Sequence, residues 1–394
     1  MHVSCFDHCI QGCINGVKDV LYNAPYRSKS LSALFKILAL VFYGIVFIRE
    51  KAYKNRWLPS QTLGCLTIVV GNLTVGGTGK TPIVEKLSRE LNKQGRKVAI
   101  LSRGYKSKKE SLLVRGLHWL LHGEARPPKV VSDGRQCLMG YEQAGDEPLL
   151  LARNLNDVCI VVDKDRVNSG RYAIKNLQCD TLVLDDGFQY FQLKNTFCIL
   201  LIDVTNPFGN GWVLPRGILR EPVNRMKRAQ FIFLTKSDQV STERLQSLKR
   251  LIRSYNATAP ILPCIHAPKY LQQVNGNEQL TLDALQNRRV AALSGIASPE
   301  AFEQFLKDKG ATVVHTQRFL DHHCYSSEEL QDFFKYAQQI GAEWVITTEK
   351  DAVRIANTEH IPLPFYFLRM EIEWVEGTAP FQHIMETLSA KHIT

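Results

Sequence analysis

Short apolar runs alternate with amphipathic segments along most of the chain. Runs rich in β-branched residues, which favour strands, lie at residues 67–70, 98–101, 158–162, 181–184, 198–203 and 231–235. Between them, apolar residues recur at helical spacing, as at Ile83, Val84, Leu87 and Leu91, and Gly95 ends that pattern. Strands that alternate with helices predict an α/β fold with a parallel sheet covered on both faces.

The alternation of strand-like and helix-like segments continues beyond residue 261, with apolar runs at 290–293, 312–315 and 344–348. A length of 394 residues suits two domains, or one large domain with an appendage. We expect an N-terminal segment over 1–57, a nucleotide-binding α/β domain over 58–255, and a smaller α/β lobe over 256–394 that closes the active-site cleft. The joint between the lobes would lie near residues 255–270.

The strand at 67–70 enters a glycine-rich loop that closes on Gly-Lys-Thr and precedes a helical pattern. This order of strand, loop and helix is typical of a phosphate-binding loop of the P-loop NTPase type. Lys80 would reach the β- and γ-phosphates, and the Thr81 hydroxyl would hold Mg²⁺. The loop is a variant, because Thr74 stands where the usual motif has glycine. An ordinary glycine-rich turn is the alternative. The candidate nucleotide-binding residues are Thr74, Val75, Gly76, Gly77, Thr78, Gly79, Lys80 and Thr81.

An almost uninterrupted apolar run at residues 31–48 is just long enough to cross a bilayer as a helix. A basic and aromatic flank follows it, with Arg49, Lys51, Tyr53 and Lys54. The flank is typical of a membrane anchor whose C-terminal side is cytoplasmic. Three arrangements stay open: the helix spans the membrane, lies in one leaflet, or docks on the soluble domain.

The formal net charge is +11 and the pI is about 9.1, which suits acidic partners such as nucleotides or an anionic membrane surface. We expect no nucleic-acid partner, because no recognition module is evident. The ten cysteines form no Cys-x-x-Cys pair, which indicates a reducing compartment. Cys5, Cys9 and Cys13 would share one helix face, as either a metal site or an ordinary buried face.

Two carboxylates end the apolar strand at 181–184. Asp185 lies where a Mg²⁺-binding carboxylate follows a phosphate loop, although an aspartate that caps the next helix is the alternative. Asp186 would diverge from it unless the strand has already turned. Downstream, a basic stretch could supply a charge-stabilising arginine or form a solvated face; its cations are Arg216, Arg220, Arg225, Lys227 and Arg228.

Two further polar motifs lie at strand ends. Asp321, His322 and His323 place imidazoles beside a carboxylate, as a general base requires. The sequence TKSD at 235–238 resembles the base-reading motif of GTPases. It supports an alternative function, a membrane-bound ATPase or GTPase switch without a lipid acceptor.

Taken together, the motifs resemble the tetraacyldisaccharide 4′-kinase family, the lipid A 4′-kinases of Gram-negative bacteria. They occur in the family's order: VGNLTVGGTGKTP, SRGY at 102–105, GDEP at 145–148, LDDGFQ at 184–189, LREP at 219–222, DHH at 321–323 and TTEKDAVR at 347–354. The resemblance covers the chain from about residue 20. It implies transfer of the γ-phosphate of ATP to the 4′-hydroxyl of a tetraacyldisaccharide 1-phosphate, giving lipid IVA, at the cytoplasmic side of the inner membrane and without an obligate protein partner.

The resemblance also implies residue roles. Asp146 matches the family's catalytic aspartate, which pairs with a histidine that maps best on His322, with His323 as the second choice. Asp185 and Asp186 match the acidic pair at the metal. Arg220 and Glu221 match residues near the phosphates, and we count Lys80 and Arg220 among the catalytic groups.

Two features depart from the family pattern. Tyr190 stands where the family commonly has histidine, so it must either fill that role or leave it unfilled. The segment 106–128 is longer than the family's norm.

Overall fold

The computed structural model describes residues 29–104, 126–296, 298–321, 323–355 and 361–389. These residues form two compact units. The first contains residues 29–101, 165–265 and 374–389, and the second contains the described parts of 102–164 and 266–373. The predicted boundaries at 57 and 255 follow chain order, whereas the compact units do not. Residues 102–164 group with 266–373, and the chain returns to the first unit after residue 373.

The strands are β1 (Leu66–Asn72), β2 (Val98–Ser102), β3 (Lys129–Asp133), β4 (Cys159–Val162), β5 (Thr181–Asp185), β6 (Phe197–Asp203), β7 (Phe231–Thr235), β8 (Ile261–Gln273), β9 (Gln279–Thr281), β10 (Arg289–Ser294), β11 (Thr312–Arg318), β12 (Trp344–Thr348) and β13 (Phe365–Trp374). The α-helices are α1 (Lys29–Lys54), α2 (Lys80–Lys93), α3 (Tyr141–Ala144), α4 (Asp146–Asn154), α5 (Arg166–Lys175), α6 (Thr242–Tyr255), α7 (Pro299–Asp308), α8 (Ser327–Gln339), α9 (Glu349–Arg354) and α10 (Ala379–Ser389). Short 3₁₀ helices cover Val223–Arg228, Ser237–Gln239 and Leu282–Leu285.

The first unit is built on a parallel sheet in the order β2–β5–β1–β6–β7–β8. Every residue of β1, β2, β5 and β7 is buried. Burial on both faces explains why these strands are continuous apolar runs rather than alternating ones. The predicted α/β fold with a parallel sheet is confirmed.

The second unit contains parallel strands in the order β11–β10–β12–β13, and the later part of β8 lies beside β13. Two pairs are antiparallel, β3 with β4 and β8 with β9. β3 therefore runs against β4, so the sheet is parallel-dominated rather than wholly parallel. Apolar composition does not encode strand direction, so the run at 158–162 could not reveal an antiparallel neighbour.

Helix α1 contacts the first unit along a narrow stripe. Ala39 is buried in the core that lies beneath β6 and β7, and Phe42 packs against the same core. Most of its large side chains are exposed, including Ile37, Ile45 and Ile48. Residues Ser32–Lys54 make a helical stretch long and apolar enough to cross a membrane, and only 6% of its apolar window is buried. A fully docked soluble helix is therefore the least favoured of the three arrangements.

Candidate active site

The phosphate loop lies between β1 and α2, at the centre of the parallel sheet of the first unit. Gly76 (φ 110°) and Gly79 (φ 75°) have the positive φ that glycine adopts without a steric penalty. Thr74, the departure from the usual motif, has negative φ, so its Cβ is tolerated. The Thr74 hydroxyl accepts a hydrogen bond from the Asn72 side-chain amide (3.4 Å). The variant loop therefore keeps the turn that the motif requires.

Backbone contacts fix the loop from two sides. The Val75 amide donates to the Ile218 carbonyl (2.8 Å), and the Arg220 amide donates to the Leu73 carbonyl (2.7 Å). On the other side, the Thr235 hydroxyl donates to the carbonyl of Thr78 (3.1 Å). The loop is thus held in place by the segment that carries Arg220.

The acidic pair lies beside the loop because β5 pairs with β1, with Asp185 opposite Val70. Asp185 is the last residue of β5 and is buried. Asp186 has φ 56°, so the chain has already turned there, and the alternation along a strand on which the expected divergence depended does not apply to this pair. Asp186 meets two cations. Lys80 Nζ lies 3.6 Å from its Oδ1, and Arg220 Nη1 donates to both of its oxygens (2.8 and 2.9 Å).

The charge balance at Asp186 favours its ionised form. Burial raises the pKa of this carboxyl, but the positive charges of Lys80 and Arg220 outweigh burial and hold the pKa below its usual range. The site therefore concentrates two cations around one carboxylate at the mouth of a phosphate loop.

The donor set fits Mg²⁺. The carboxylate of Asp185 and the hydroxyl of Thr81 are hard oxygen ligands, and both residues are buried at the end of the loop. The Thr78 hydroxyl is also buried there, with no hydrogen-bond partner. Over the described ranges, no group of three or more His, Cys, Asp or Glu could hold a metal alone. Mg²⁺ suits such a site because it takes one or two protein ligands and completes its shell with phosphate oxygens and water.

Glu221 serves a different purpose from its neighbour Arg220. Its side chain is 2% exposed, and its Oε2 accepts a hydrogen bond from Arg228 Nη2 (2.6 Å). Burial raises the pKa of Glu221, and the Arg228 charge partly offsets that effect. Glu221 thus anchors the segment rather than offering a free carboxylate to the loop.

The candidate catalytic aspartate lies in the second unit. Asp146 is the first residue of α4 and is 6% exposed. Its Oδ2 accepts a hydrogen bond from Arg354 Nη2 (2.9 Å), and its Oδ1 accepts one from the amide of Glu147 (3.1 Å). The Arg354 side chain is completely buried. This pair joins the GDEP and TTEKDAVR motifs within one unit.

Asp351 binds the Arg354 guanidinium at Nη1, whereas Asp146 binds it at Nη2. Its Oδ1 accepts hydrogen bonds from Tyr325 Oη (2.9 Å) and Arg354 Nη1 (3.1 Å). Its Oδ2 accepts from the Thr348 hydroxyl (2.6 Å) and the Gly295 amide (3.0 Å). Asp351 and Arg354 both belong to the TTEKDAVR motif, but the motif does not show that they pair with each other or with Asp146. Their three-residue spacing at the start of a helix was the available signal, but it does not reveal a partner 208 positions away.

His322 lies outside the described residues, so its pairing with Asp146 stays a prediction. The second choice, His323, is engaged locally. Its Nε2 lies 3.1 Å from Glu329 Oε2, and its ring stacks on Phe319 with centroids 4.4 Å apart. Glu329 also completes the N-terminal cap of α8. These contacts tie His323 to the start of that helix. The segment 106–125 and Cys5, Cys9 and Cys13 also lie outside the described residues.

Tyr190 caps a helix. Its hydroxyl accepts hydrogen bonds from the amides of Arg166 (3.0 Å) and Val167 (3.3 Å) and donates to Asp165 Oδ1 (3.2 Å). Burial, with the Asp165 carboxylate beside it, raises the pKa of Tyr190 to about 12. The hydroxyl therefore keeps its proton at neutral pH and orients the first turn of α5.

The side chains of the TKSD motif also make local contacts within the first unit. The Lys236 ammonium is paired with the Asp203 carboxylate, and the Ser237 hydroxyl donates to the Leu234 carbonyl (2.8 Å). The Thr235 hydroxyl holds the phosphate loop, as described above.

A parallel sheet with a central phosphate loop, two cations and an acidic pair defines the class of P-loop kinases and related nucleotide-binding enzymes. The chain belongs to the LpxK family, tetraacyldisaccharide-1-P 4′-kinase, whose model matches residues 31–389.

Relatives agree with this assignment over most of their length. The chain is 39% identical to the tetraacyldisaccharide 4′-kinase of Anaeromyxobacter sp. (strain K) over 345 residues, covering 87% of this chain and 82% of the relative. It is 36% identical to that of Syntrophus aciditrophicus over 372 residues, covering 92% and 94%. A crystal structure of LpxK from Aquifex aeolicus in complex with ATP aligns with a TM-score of 0.70, at 26% identity, over 91% of this chain and 99% of that one.

Proposed function

We propose that this protein transfers the γ-phosphate of ATP to the 4′-hydroxyl of a tetraacyldisaccharide 1-phosphate, with Mg²⁺, and so forms lipid IVA in lipid A biosynthesis. The observation that carries the proposal is the convergence of Lys80 and Arg220 on Asp186, beside a phosphate loop, in a member of this kinase family. The ATP complex of the Aquifex aeolicus relative supports the choice of nucleotide.

The nucleotide side of the reaction is assigned to the first unit. Backbone amides of residues 74–81 would cradle the phosphates, at the positive end of α2. Lys80 and Arg220 are held close to the loop, and both can donate to phosphate oxygens that carry developing charge. Thr81 and Asp185 would hold Mg²⁺, with Asp186 beside them. Mg²⁺, when bound, neutralises phosphate charge.

The acceptor side is assigned to Asp146 in the second unit, with His322. A sugar hydroxyl is a poor nucleophile at neutral pH, so a base must accept its proton as the new bond forms. Arg354 fixes the orientation of the Asp146 carboxylate. Asp146 would then orient the His322 imidazole, which accepts the proton.

The lipid acceptor explains the exposed apolar helix. Each buried methylene of an acyl chain holds the lipid in the bilayer by about 0.8 kcal/mol, so the enzyme must meet its acceptor at the membrane. Helix α1 exposes Ile37, Ile45 and Ile48, and the basic flank beside it suits an anionic surface. We assign the protein to the cytoplasmic face of the inner membrane, where ATP is available. The reaction requires neither nucleic acid nor an obligate protein partner.

The test is transfer of label from γ-labelled ATP to a tetraacyldisaccharide 1-phosphate in detergent micelles. We expect labelled lipid only with Mg²⁺, and none with Lys80→Ala, because that change removes the cation that holds the phosphates. Lys93→Ala is the matched control, since Lys93 is an exposed residue of the same helix that pairs only with Glu90 among the contacts described. It should transfer label as the wild type does.

Two results would contradict these assignments. Hydrolysis of ATP without labelled lipid would reject the kinase assignment and favour the nucleotide-dependent switch. Equal transfer by Lys80→Ala and wild type would reject the role of Lys80.

A further inference from the structure

A buried carboxylate lies at the C-terminal end of α1, and the proposed reaction does not use it. Glu50 follows the apolar run 31–48, and its side chain is 4% exposed. It forms ion pairs with Lys54 (Nζ to Oε1, 2.8 Å) and with Arg225 (Nη2 to Oε2, 2.6 Å). The Arg225 side chain is itself 10% exposed. A buried charge is costly unless it is paired, so this contact fixes α1 against the segment that carries Arg225.

That segment leads directly to the phosphate site. Arg225 lies in the 3₁₀ helix Val223–Arg228, which follows Arg220, Glu221 and Pro222 without a break. The Arg225 amide donates to the Pro222 carbonyl (2.9 Å), which makes a tight turn between the two arginines. A shift of Arg225 would therefore reach Arg220, five residues away, through this turn.

A second arginine ties the same segment to the acidic loop. Arg228 Nη2 bonds Glu221 Oε2 (2.6 Å), and it also donates to the carbonyl of Phe188 (3.3 Å). Phe188 follows Asp186 by two residues. Arg228 thus joins the strand end that carries Asp186 to the turn that carries Arg220.

Helix α1 also contacts the residues after Asp186. Tyr53 stacks on Phe191, with ring centroids 5.8 Å apart, and Arg49 donates to the carbonyl of Gln189 (3.3 Å). The Arg228 guanidinium also lies over the Phe191 ring, 4.8 Å from its centroid. The C-terminal end of α1 and the Arg228 side chain therefore both contact the loop that follows Asp186.

We propose that Glu50 is a positioning residue for phosphoryl transfer, which acts through Arg225 to place Arg220 against Asp186. The proposal rests on the kinase function proposed above. Since Glu50 lies on the helix that faces the membrane, the seating of that helix and the order of the phosphate site are linked. The bond that reports this order is the contact of Arg220 Nη1 with both oxygens of Asp186 (2.8 and 2.9 Å).

The first experiment measures transfer by Glu50→Gln in micelles, over ranges of ATP and acceptor. We expect kcat to fall about tenfold, with the acceptor KM and the binding to phospholipid vesicles unchanged. A residue that only anchors the helix would give the reverse, a raised acceptor KM with kcat unchanged, and that result would overturn the proposal.

The second experiment tests the route. If Glu50 acts through Arg220, Glu50→Gln should change kcat less than twofold in an Arg220→Ala background, because residues that act as a unit are not additive. A full tenfold loss in that background would overturn the proposal. Glu303→Gln is the control, since Glu303 is another largely buried glutamate paired with an arginine, Arg318 (Oε1 to Nε, 2.8 Å). It should leave kcat unchanged.

Folding and function are separated by two further measurements. Thermal melting is followed for each variant, and Glu50→Asp, which keeps the charge on a side chain one methylene shorter, is used if Glu50→Gln does not fold. We expect Glu50→Asp to lower kcat about threefold, and an unchanged kcat would reject the proposal.

If the wild type transfers no phosphate to lipid, the kinase function fails. The role of Glu50 is then judged by ATP hydrolysis, measured in the wild-type and Arg220→Ala backgrounds. A tenfold loss confined to the background that retains Arg220 would support it, and no loss would overturn it.

Discussion

Two arginines hold the two aspartates on which the proposed reaction depends. Arg220 contacts Asp186 at a partly exposed site, where the bond can be exchanged for a bond to phosphate. Arg354 contacts Asp146 in a completely buried setting, where Asp351 fixes it from the other side. A buried guanidinium that bonds two carboxylates has little freedom to move, so Arg354 suits orientation, whereas Arg220 suits binding.

The role of Asp146 can be tested by Asp146→Asn, which keeps its shape and an oxygen that accepts from Arg354. The amide lacks the charge that orients an imidazole, so we expect kcat to fall by about 10²-fold or more. ATP affinity, measured with a fluorescent analogue, should stay within twofold, because the phosphate loop belongs to the other unit.

The control for this prediction is the surface change Asp308→Asn, which should leave both quantities unchanged. Loss of ATP affinity in Asp146→Asn with kcat preserved would contradict the assignment of Asp146 to the acceptor.

The ion pairs of Asp186 predict a pH dependence of stability. Because Lys80 and Arg220 lower its pKa in the folded state despite burial, the ionised carboxylate stabilises the fold above its unfolded pKa of about 3.9. That contribution, about 1 kcal/mol, should be lost as the pH falls through the folded-state pKa. The free energies of unfolding of wild type and Asp186→Asn should therefore differ at pH 7 and converge below pH 4, as urea denaturation would show. A difference that grows on acidification would contradict the assigned ion pairs.

At the scale of elements, α1 changes in burial along its length. Its apolar residues are exposed along most of the helix, whereas Glu50 and Ala52 at its end are buried. The apolar run predicted the first property, since period and length are visible in the sequence. The buried glutamate could not be recognised in the sequence, because a charged residue after an apolar run usually faces water.

The exposed part of α1 is tested by the double change Ile45→Asp and Ile48→Asp. Each aspartate costs about 2.5–3.5 kcal/mol if its position enters the hydrocarbon region, so we expect loss of cosedimentation with anionic phospholipid vesicles. Thermal stability should not change, because both side chains are exposed. Ala39→Asp is the contrasting variant: it places a charge in the core and should lower stability. Unchanged vesicle binding by the double variant would remove the membrane role from α1.

At the scale of the whole chain, the sequence predicted the grouping of the candidate phosphate-binding residues better than the contacts around Asp146. The loop at 74–81, Asp185 and Asp186 are close in sequence to strand ends that it identifies, and parallel strands bring such ends to one edge. The bond between Asp146 and Arg354 joins residues that only tertiary packing brings together. The sequence did not reveal the two compact units for the same reason, because segments that group in space are separated along the chain.

The return of the chain after residue 373 has a consequence for synthesis on the ribosome. Phe233, in the central sheet of the first unit, is completely buried, and Trp374 and Phe381 cover it with ring centroids 5.1 and 6.5 Å away. Arg96 likewise donates to the carbonyl of Ser389 (3.0 Å). The phosphate loop is translated early, but the unit that holds it gains these contacts only when α10 emerges. Until then, the nascent chain leaves this aromatic face of the core exposed to water. Chaperones bind exposed apolar surface of this kind.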